Sequence, residues 1–283
     1  MPDDIRKPAV AGQFYPASPT ELRRQIEASF KHELGPGHLP EVIGSGPREI
    51  VGAVCPHAGY PFSGHTAAHV YDTLASDGCP DVAVVVGVNH GRGGLHSAVQ
   101  TSGCWRTPLG DLMVAEDVAG RLAAALPEFK TDSEAFRSEH SLEVQLPFLQ
   151  YVYEESQLFV PVMMAAQDIE AARAVGTAIA ESLDGRDAVI IASTDMTHYQ
   201  SAATARKQDQ VLIRRIEALD AEGLIAERAN RQISMCGAGP VAATIVAAQA
   251  MGAMEVDSLS YTNSGDVMPS QDVVGYYAAV MRR

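Results

Sequence analysis

Four cysteines, Cys55, Cys79, Cys104 and Cys236, lie far apart and none forms a C-x-x-C pair. The sequence therefore lacks both a zinc-finger ligand set and the dense framework of a disulfide scaffold. A cysteine that does chemistry here acts singly, as a ligand or as a nucleophile. Positive charge is also scarce: 21 Lys and Arg stand against 35 Asp and Glu, a formal net charge of −14. That balance repels phosphate backbones and anionic lipid at long range, so neither a nucleic acid nor a membrane is expected as a partner. No run reaches the roughly 18 apolar residues that a spanning helix requires. The opening MPDDIRKPAVAG has acids where a signal peptide carries its basic segment, and no long apolar stretch follows. A soluble, cytoplasmic protein is expected. Solenoid repeats are absent, and so are low-complexity tracts other than Ala-rich helices.

What the chain does have is apolar material in short runs. With 46% hydrophobic residues in 283, it can bury one sizeable core, and a single domain over residues 1–283 is expected. Buried-type strands begin near Ile50, Val82, Leu158 and Ala188, with helical periodicity between them. This predicts an α/β layered fold whose central sheet, mostly parallel or mixed, is flanked by helices.

Taken in order, PTELRRQIEASF predicts a first helix near Pro19 to Phe30, capped by Ser18 or Thr20. The Gly- and Pro-rich segment from His32 to Pro47 reads as a loop, with His32 and His38 as surface histidines. GHTAAHVYDTLAS is amphipathic and carries His65 and His69 at i, i+4. No acid follows at metalloprotease spacing, so packing or solvent exposure is preferred to a ligand role. GRGG, after the second strand, reads as a mobile loop. HSAVQTSGCWRTPLGDLMV predicts a hairpin flap or edge strands around the only Trp, Trp105, with Cys104 in a packing role. DVAGRLAAAL is helical, and LEVQLPFLQYVYEES is a helix kinked or restarted at Pro147. Asp168 suits the N-cap of DIEAARAVGTAIAESL. A polar helical region spans about Ala202 to Gln232 with a break near Gly223. Pro240 suits the first position of an Ala-rich helix, and two final strands flank a Ser-Gly turn.

The informative pattern is at the strand ends. IVGAVCPHAGY delivers His57, VAVVVGVNHG delivers His90, and AVIIASTDMTHY delivers Asp195 and His198. In an open parallel sheet the carboxyl ends of the strands share one edge, and ligands bind in the crevice outside it. Cys236, just before the Ala-rich helix, faces a positive helix end, which favours thiolate. His140, in EHSLEVQL, joins the group if its connector folds over the sheet edge. Imidazoles plus a thiolate suit iron, copper or zinc. His57, His90 and Cys236 would then be ligands that leave open positions for water, oxygen or substrate, with Asp195 and His198 as an acid/base pair beside them. A rival reading makes Cys236 a nucleophile, His198 its base and Asp195 the orienter, as in a cysteine hydrolase. It leaves His57 and His90 without a role. In the plainest reading the histidines are satisfied polar groups at strand ends.

AGQFYP, PHAGYPFSG, GVNHG, WRTPLGDL, EHSLEVQLPFL, STDMTHY and MCGAGP occur in this order over nearly the whole chain. They resemble the Memo family, whose bacterial and archaeal members are labelled protein B of the AmmeMemoRadiSam system. The resemblance implies the fold of the class III extradiol ring-cleaving dioxygenases, in which two His and one Glu hold ferrous iron. His57 and His90 match the histidines, and Cys236 matches the cysteine that replaces the Glu in Memo proteins, which are reported to bind iron or copper. Asp195, His198 and His140 match further site positions. The thiolate is softer and more donating than a carboxylate, so it favours ferrous or cuprous ions and alters oxygen activation. On this resemblance the expected function is a metal-dependent, dioxygenase-like oxidoreductase holding Fe(II), with Cu or Zn as alternatives, and acting with O2 on a small molecule. His198 would transfer protons, with Asp195 orienting it, and His140 would hydrogen-bond the substrate. Eukaryotic relatives described as phosphotyrosine-binding adaptors imply the alternative, a non-catalytic metal- or peptide-binding protein using the same pocket.

Overall fold

The first buried run becomes β2 (Ile50–Cys55) and the second β3 (Val82–Val88), and every residue of both is buried. Covered on both faces, a strand needs no polar alternation, which is why these runs are continuously apolar. They join β7 (Leu158–Met164) and β8 (Ala188–Ser193) in a parallel core ordered β7-β3-β8-β2. The chain is described by a computed structural model over residues 4–91, 96–131, 133–153 and 157–283.

The final segment turns back as β10 (Glu255–Asn263) and β11 (Val273–Arg282), joined through the short α9 (Ser264–Val267). β11 runs antiparallel to β2, so the sheet is mixed at this end. At the other end β1 (Ile5–Arg6), β5 (Cys104–Thr107) and β6 (Gly110–Val114) extend it, with β5 and β6 forming the hairpin expected around Trp105. β4 (Ala98–Val99) pairs with β7, and β9 (His198–Gln200) pairs with β11. The GRGG segment falls largely on residues 92–95, outside the described residues.

Helices cover both faces. α2 (Tyr60–Asp77) packs on β2, β10 and β11 with α1 (Pro19–Lys31) against it, while α8 (Ala238–Ala250) packs on β8, β2 and β3 with α5 (Ile169–Ser182) outside. A Cβ at Gly176 would stand 2.5 Å from the Ala243 carbonyl oxygen, so this glycine lets α5 approach α8 closely. The expected caps form: Ser18 Oγ accepts from Glu21 N, and Asp168 Oδ1 accepts from Ala171 N. α3 (Glu116–Ala125) fills the place of DVAGRLAAAL. The EVQL segment restarts rather than kinks, as a 3₁₀ turn over Glu143–Gln145 followed by α4 (Leu146–Tyr153) with Pro147 in its first turn.

Three boundaries differ from the sequence reading. The polar region divides into α6 (Ala202–Glu217) and α7 (Ala221–Asn230), with its break at Leu219 (φ +51°) and Asp220 rather than at Gly223. Asp220 caps α7 by accepting from Gly223 N, so the glycine belongs inside the first turn. α2 begins at Tyr60, directly after Gly59, because Pro61 already suits a first turn. Pro240 is the third residue of α8, since Ala238 and Gly239 are already helical. Cys104 is fully buried, as its packing role requires. Among the described residues no helix is long and apolar enough to cross a membrane.

Candidate metal centre

Parallel register decides which residues meet. Cys55 on β2 stands opposite Ser193 on β8, and β8 pairs in turn with β3. The segments leaving these three strands therefore emerge side by side. β2 delivers His57, only 2% exposed. β3 delivers His90 through an Asn turn, in which Asn89 Oδ1 accepts from Gly91 N. The segment after β8 carries Asp195, and the loop before α8 brings in Cys236.

The cysteine enters through backbone bonds to the β8 exit. Cys236 N donates to Asp195 O at 3.3 Å, and Asp195 N donates to the Cys236 sulfur at 3.2 Å. A Cβ at Gly237 would lie 2.7 Å from Ser193 O, so only glycine lets this loop lie flat on the strand end. One ring nitrogen from each of His57 and His90, together with Cys236 Sγ, all lie within 4.8 Å of one another. His57 Nε2 is 3.3 Å from that sulfur.

His140 joins the group, because its connector does fold over the sheet edge. Its ring centroid lies 4.4 Å from that of His90 in a stacked arrangement and 5.5 Å from that of His57 edge-on. Asp195 sits beneath His57: Oδ1 accepts from the His57 backbone N at 2.8 Å. His198 is half-buried, and its Nδ1 donates to Ser234 O at 3.1 Å. Among the described residues no hydrogen bond joins Asp195 to His198, and the imidazole beside Cys236 is that of His57.

Burial dominates the charge states. It pushes the Cys236 thiol up to about 12, reinforced by the charge of Asp195. Burial thus acts against the thiolate that the helix end favours. Burial, and then His140 and His90, hold His57 well below the usual imidazole range. Burial raises Asp195 to about 6 against its backbone hydrogen bonds. Burial also acts to raise Glu139, but the hydrogen bond and charge of His90, with His140, outweigh it and bring Glu139 down to about 2.

Glu139 and Ser193 are the site residues that strand-end reasoning missed. Glu139 bonds the His90 ring at 2.9 Å, and Ser193 bonds the His57 ring at 3.0 Å. Glu139 was visible as the neighbour of His140, and Ser193 as the last residue of a buried strand. Neither signal carries chemistry without the fold.

His65 and His69 take the packing role. His65 Nε2 meets Thr262 Oγ1 at 3.3 Å, His69 Nε2 donates to Leu34 O at 3.1 Å, and His65 stacks on His32 at 5.0 Å.

Fold and donor set define a mixed-sheet α/β protein with a candidate metal site at the carboxyl edge of its parallel strands. The chain belongs to the family of Memo-like proteins, whose family model matches residues 6–280. It is 53% identical over 282 residues to a MEMO1 family protein of Methanopyrus kandleri, covering 98% of this chain and 99% of that one. It is 45% identical over 275 residues to a MEMO1 family protein of Methanothermobacter thermautotrophicus, covering 96% and 98%. Among solved structures, an uncharacterized protein from Escherichia coli K12 shares the fold with a TM-score of 0.51 at 13% identity, over 83% of this chain and 100% of that one.

Proposed function

We propose that His57, His90 and Cys236 hold a redox-active transition metal and that the protein is a dioxygenase-like oxidoreductase acting with O2 on a small molecule. The observation that carries this reading is the gathering of two imidazoles and one thiol within 4.8 Å, from three segments far apart in the sequence. Donors of this kind suit iron, copper or zinc; the resemblance of the Memo family to extradiol dioxygenases favours ferrous iron, and redox-inert zinc would fit only the binding role. Three protein ligands leave coordination positions for exchangeable groups. When bound, ferrous iron would supply Lewis acidity and one-electron exchange with oxygen.

The remaining steps fall to the chain's own residues. His198 donates its Nδ1 proton to a carbonyl, so Nε2 is the nitrogen that can take a proton from substrate. His140, packed against both metal-facing rings, is placed to orient a substrate's polar group. Asp195 acts by clamping the His57 backbone and the Cys236 sulfur rather than by orienting His198. The cysteine-hydrolase reading draws less support, since the imidazole beside the Cys236 sulfur is that of His57, at 3.3 Å, while His198 bonds Ser234 O.

Anaerobic purification followed by elemental analysis and oxygen-uptake measurement tests the proposal. One equivalent of iron is expected in the native protein, with loss of metal in His57→Ala and Cys236→Ser. Unchanged metal content in both variants would overturn the ligand assignment. Metal-loaded protein that consumes no oxygen with a panel of cellular metabolites would favour the non-catalytic binding role.

A further inference from the structure

Each of the two imidazoles is held from behind by an acceptor that leaves its tautomer no choice. His57 Nδ1 lies 3.0 Å from Ser193 Oγ. A hydroxyl has one proton and two lone pairs, and those of Ser193 are accounted for. Its proton goes to Ser141 O at 2.6 Å, and one lone pair accepts from Gln145 Nε2 at 2.8 Å. The orientation of the Gln145 amide follows from its other contacts: Nε2 also donates to Pro56 O at 2.9 Å, and Oε1 accepts from the Tyr71 hydroxyl at 2.9 Å. A flipped amide would set two carbonyl oxygens against each other. The lone pair left on Ser193 can therefore only receive a proton from His57 Nδ1–H.

His90 is held in the same sense. Its Nδ1 is 2.9 Å from Glu139 Oε1, and an ionised carboxylate offers lone pairs only. The same carboxylate accepts from the His90 backbone N at 2.8 Å, from His140 N at 2.9 Å and from Ser141 N at 2.7 Å. Three of these donors sit on Oε1 and one on Oε2, so Glu139 holds the His90 imidazole from behind, although Glu139, His90 and His140 also form a second group of possible metal donors within 4.8 Å of one another.

The two arms are one piece of chain. Glu139 and Ser141 belong to the same turn, the Ser141 carbonyl receives the Ser193 proton, and Ser141 Oγ donates to Val88 O at the end of the strand that carries His90. A Cβ at Gly87 would come within 2.6 Å of Ser141 Oγ, so the turn lies against that strand with no slack. We propose that the Glu139-His140-Ser141 turn, acting with Ser193, is a template that locks both imidazoles as Nδ1–H and leaves both Nε2 atoms unprotonated before any metal arrives. Glu139 and Ser193 are positioning residues. The inference rests on the reading of His57, His90 and Cys236 as ligands.

Long-range ¹H–¹⁵N NMR of histidine-labelled, metal-free protein reads the tautomers directly, and cobalt(II) titration of the same samples reads affinity. In the native protein both rings are expected as Nδ1–H. Ser193→Ala should move His57 to a mixture containing Nε2–H, and Glu139→Gln should do the same to His90. Each change should weaken cobalt binding about 10- to 100-fold. Native rings already populating Nε2–H, or variants that keep both tautomer and affinity, would overturn the template. Where Glu139→Gln does not fold, Ser193→Ala decides alone. Native protein that binds no cobalt would remove the ligand assignment, and the tautomer spectra would still judge the template.

Discussion

Glu143 shows how much one residue can carry in this fold. It is completely buried, paired with Arg6, and it accepts from Ala9 N at 2.8 Å, Val10 N at 3.0 Å and the Tyr15 hydroxyl at 2.5 Å. Arg6 in turn lies 4.3 Å over the Trp105 ring. The N-terminal AGQFYP segment is thereby fastened to the turn that follows the Glu139–Ser141 template. Removing one partner of a buried ion pair strands the other charge and costs about 3–5 kcal/mol. Glu143→Ala is accordingly expected to lower the free energy of unfolding by that amount in urea denaturation. A loss below about 1 kcal/mol, typical of an exposed pair, would show that the segment is held by its apolar contacts alone.

At the scale of the element, α2 carries a buried histidine that resists protonation. Burial, and then His32 and His69, lower His65 from 6.5 to about 4, with Asp266 pulling weakly the other way. The unfolded chain takes up this proton near 6.5 and the folded protein only near 4. Between those values the unfolded state binds more protons, so stability falls as the pH falls through this window. Each pH unit is worth at most about 1.4 kcal/mol for one such group. His65→Gln, which can still bond Thr262, should flatten this slope relative to the native protein in denaturation curves taken between pH 7 and pH 4. Equal slopes would mean that the His65 cluster tolerates charge.

For the whole molecule, the proposed ligands belong to the folded state only, because His57 and Cys236 are 179 residues apart in sequence. A cation bound by the native state alone stabilises by an amount that grows with its concentration, about 2.7 kcal/mol at a hundredfold excess over Kd. Thermal unfolding with added cobalt(II) should therefore show a rising Tm in the native protein and none in Cys236→Ser. A Tm that rises equally in both would place the cation elsewhere. The same long separation makes folding depend on non-local strand pairing, as in β2 with β8 and β11.

The sequence by itself determined the α/β class, the four buried strands, the caps of α1 and α5 and the Memo family motifs, because each rests on local periodicity or on a short run of residue types. His57 and His90 were legible for the same reason: a polar group that ends a buried strand has one place to go. Helix limits near Leu219 and Ala238 were not, since a left-handed residue and a pair of glycines can be accommodated in more than one way until neighbours pack on them. Only the tertiary structure decided that Cys236 meets His57 rather than His198, that Asp195 clamps backbone instead of a ring, and that Glu139 and Ser193 stand behind the two imidazoles. Those partnerships depend on the register of parallel strands and on which loops cross the sheet edge. They are properties of segments 49 to 179 residues apart, and no local pattern encodes them.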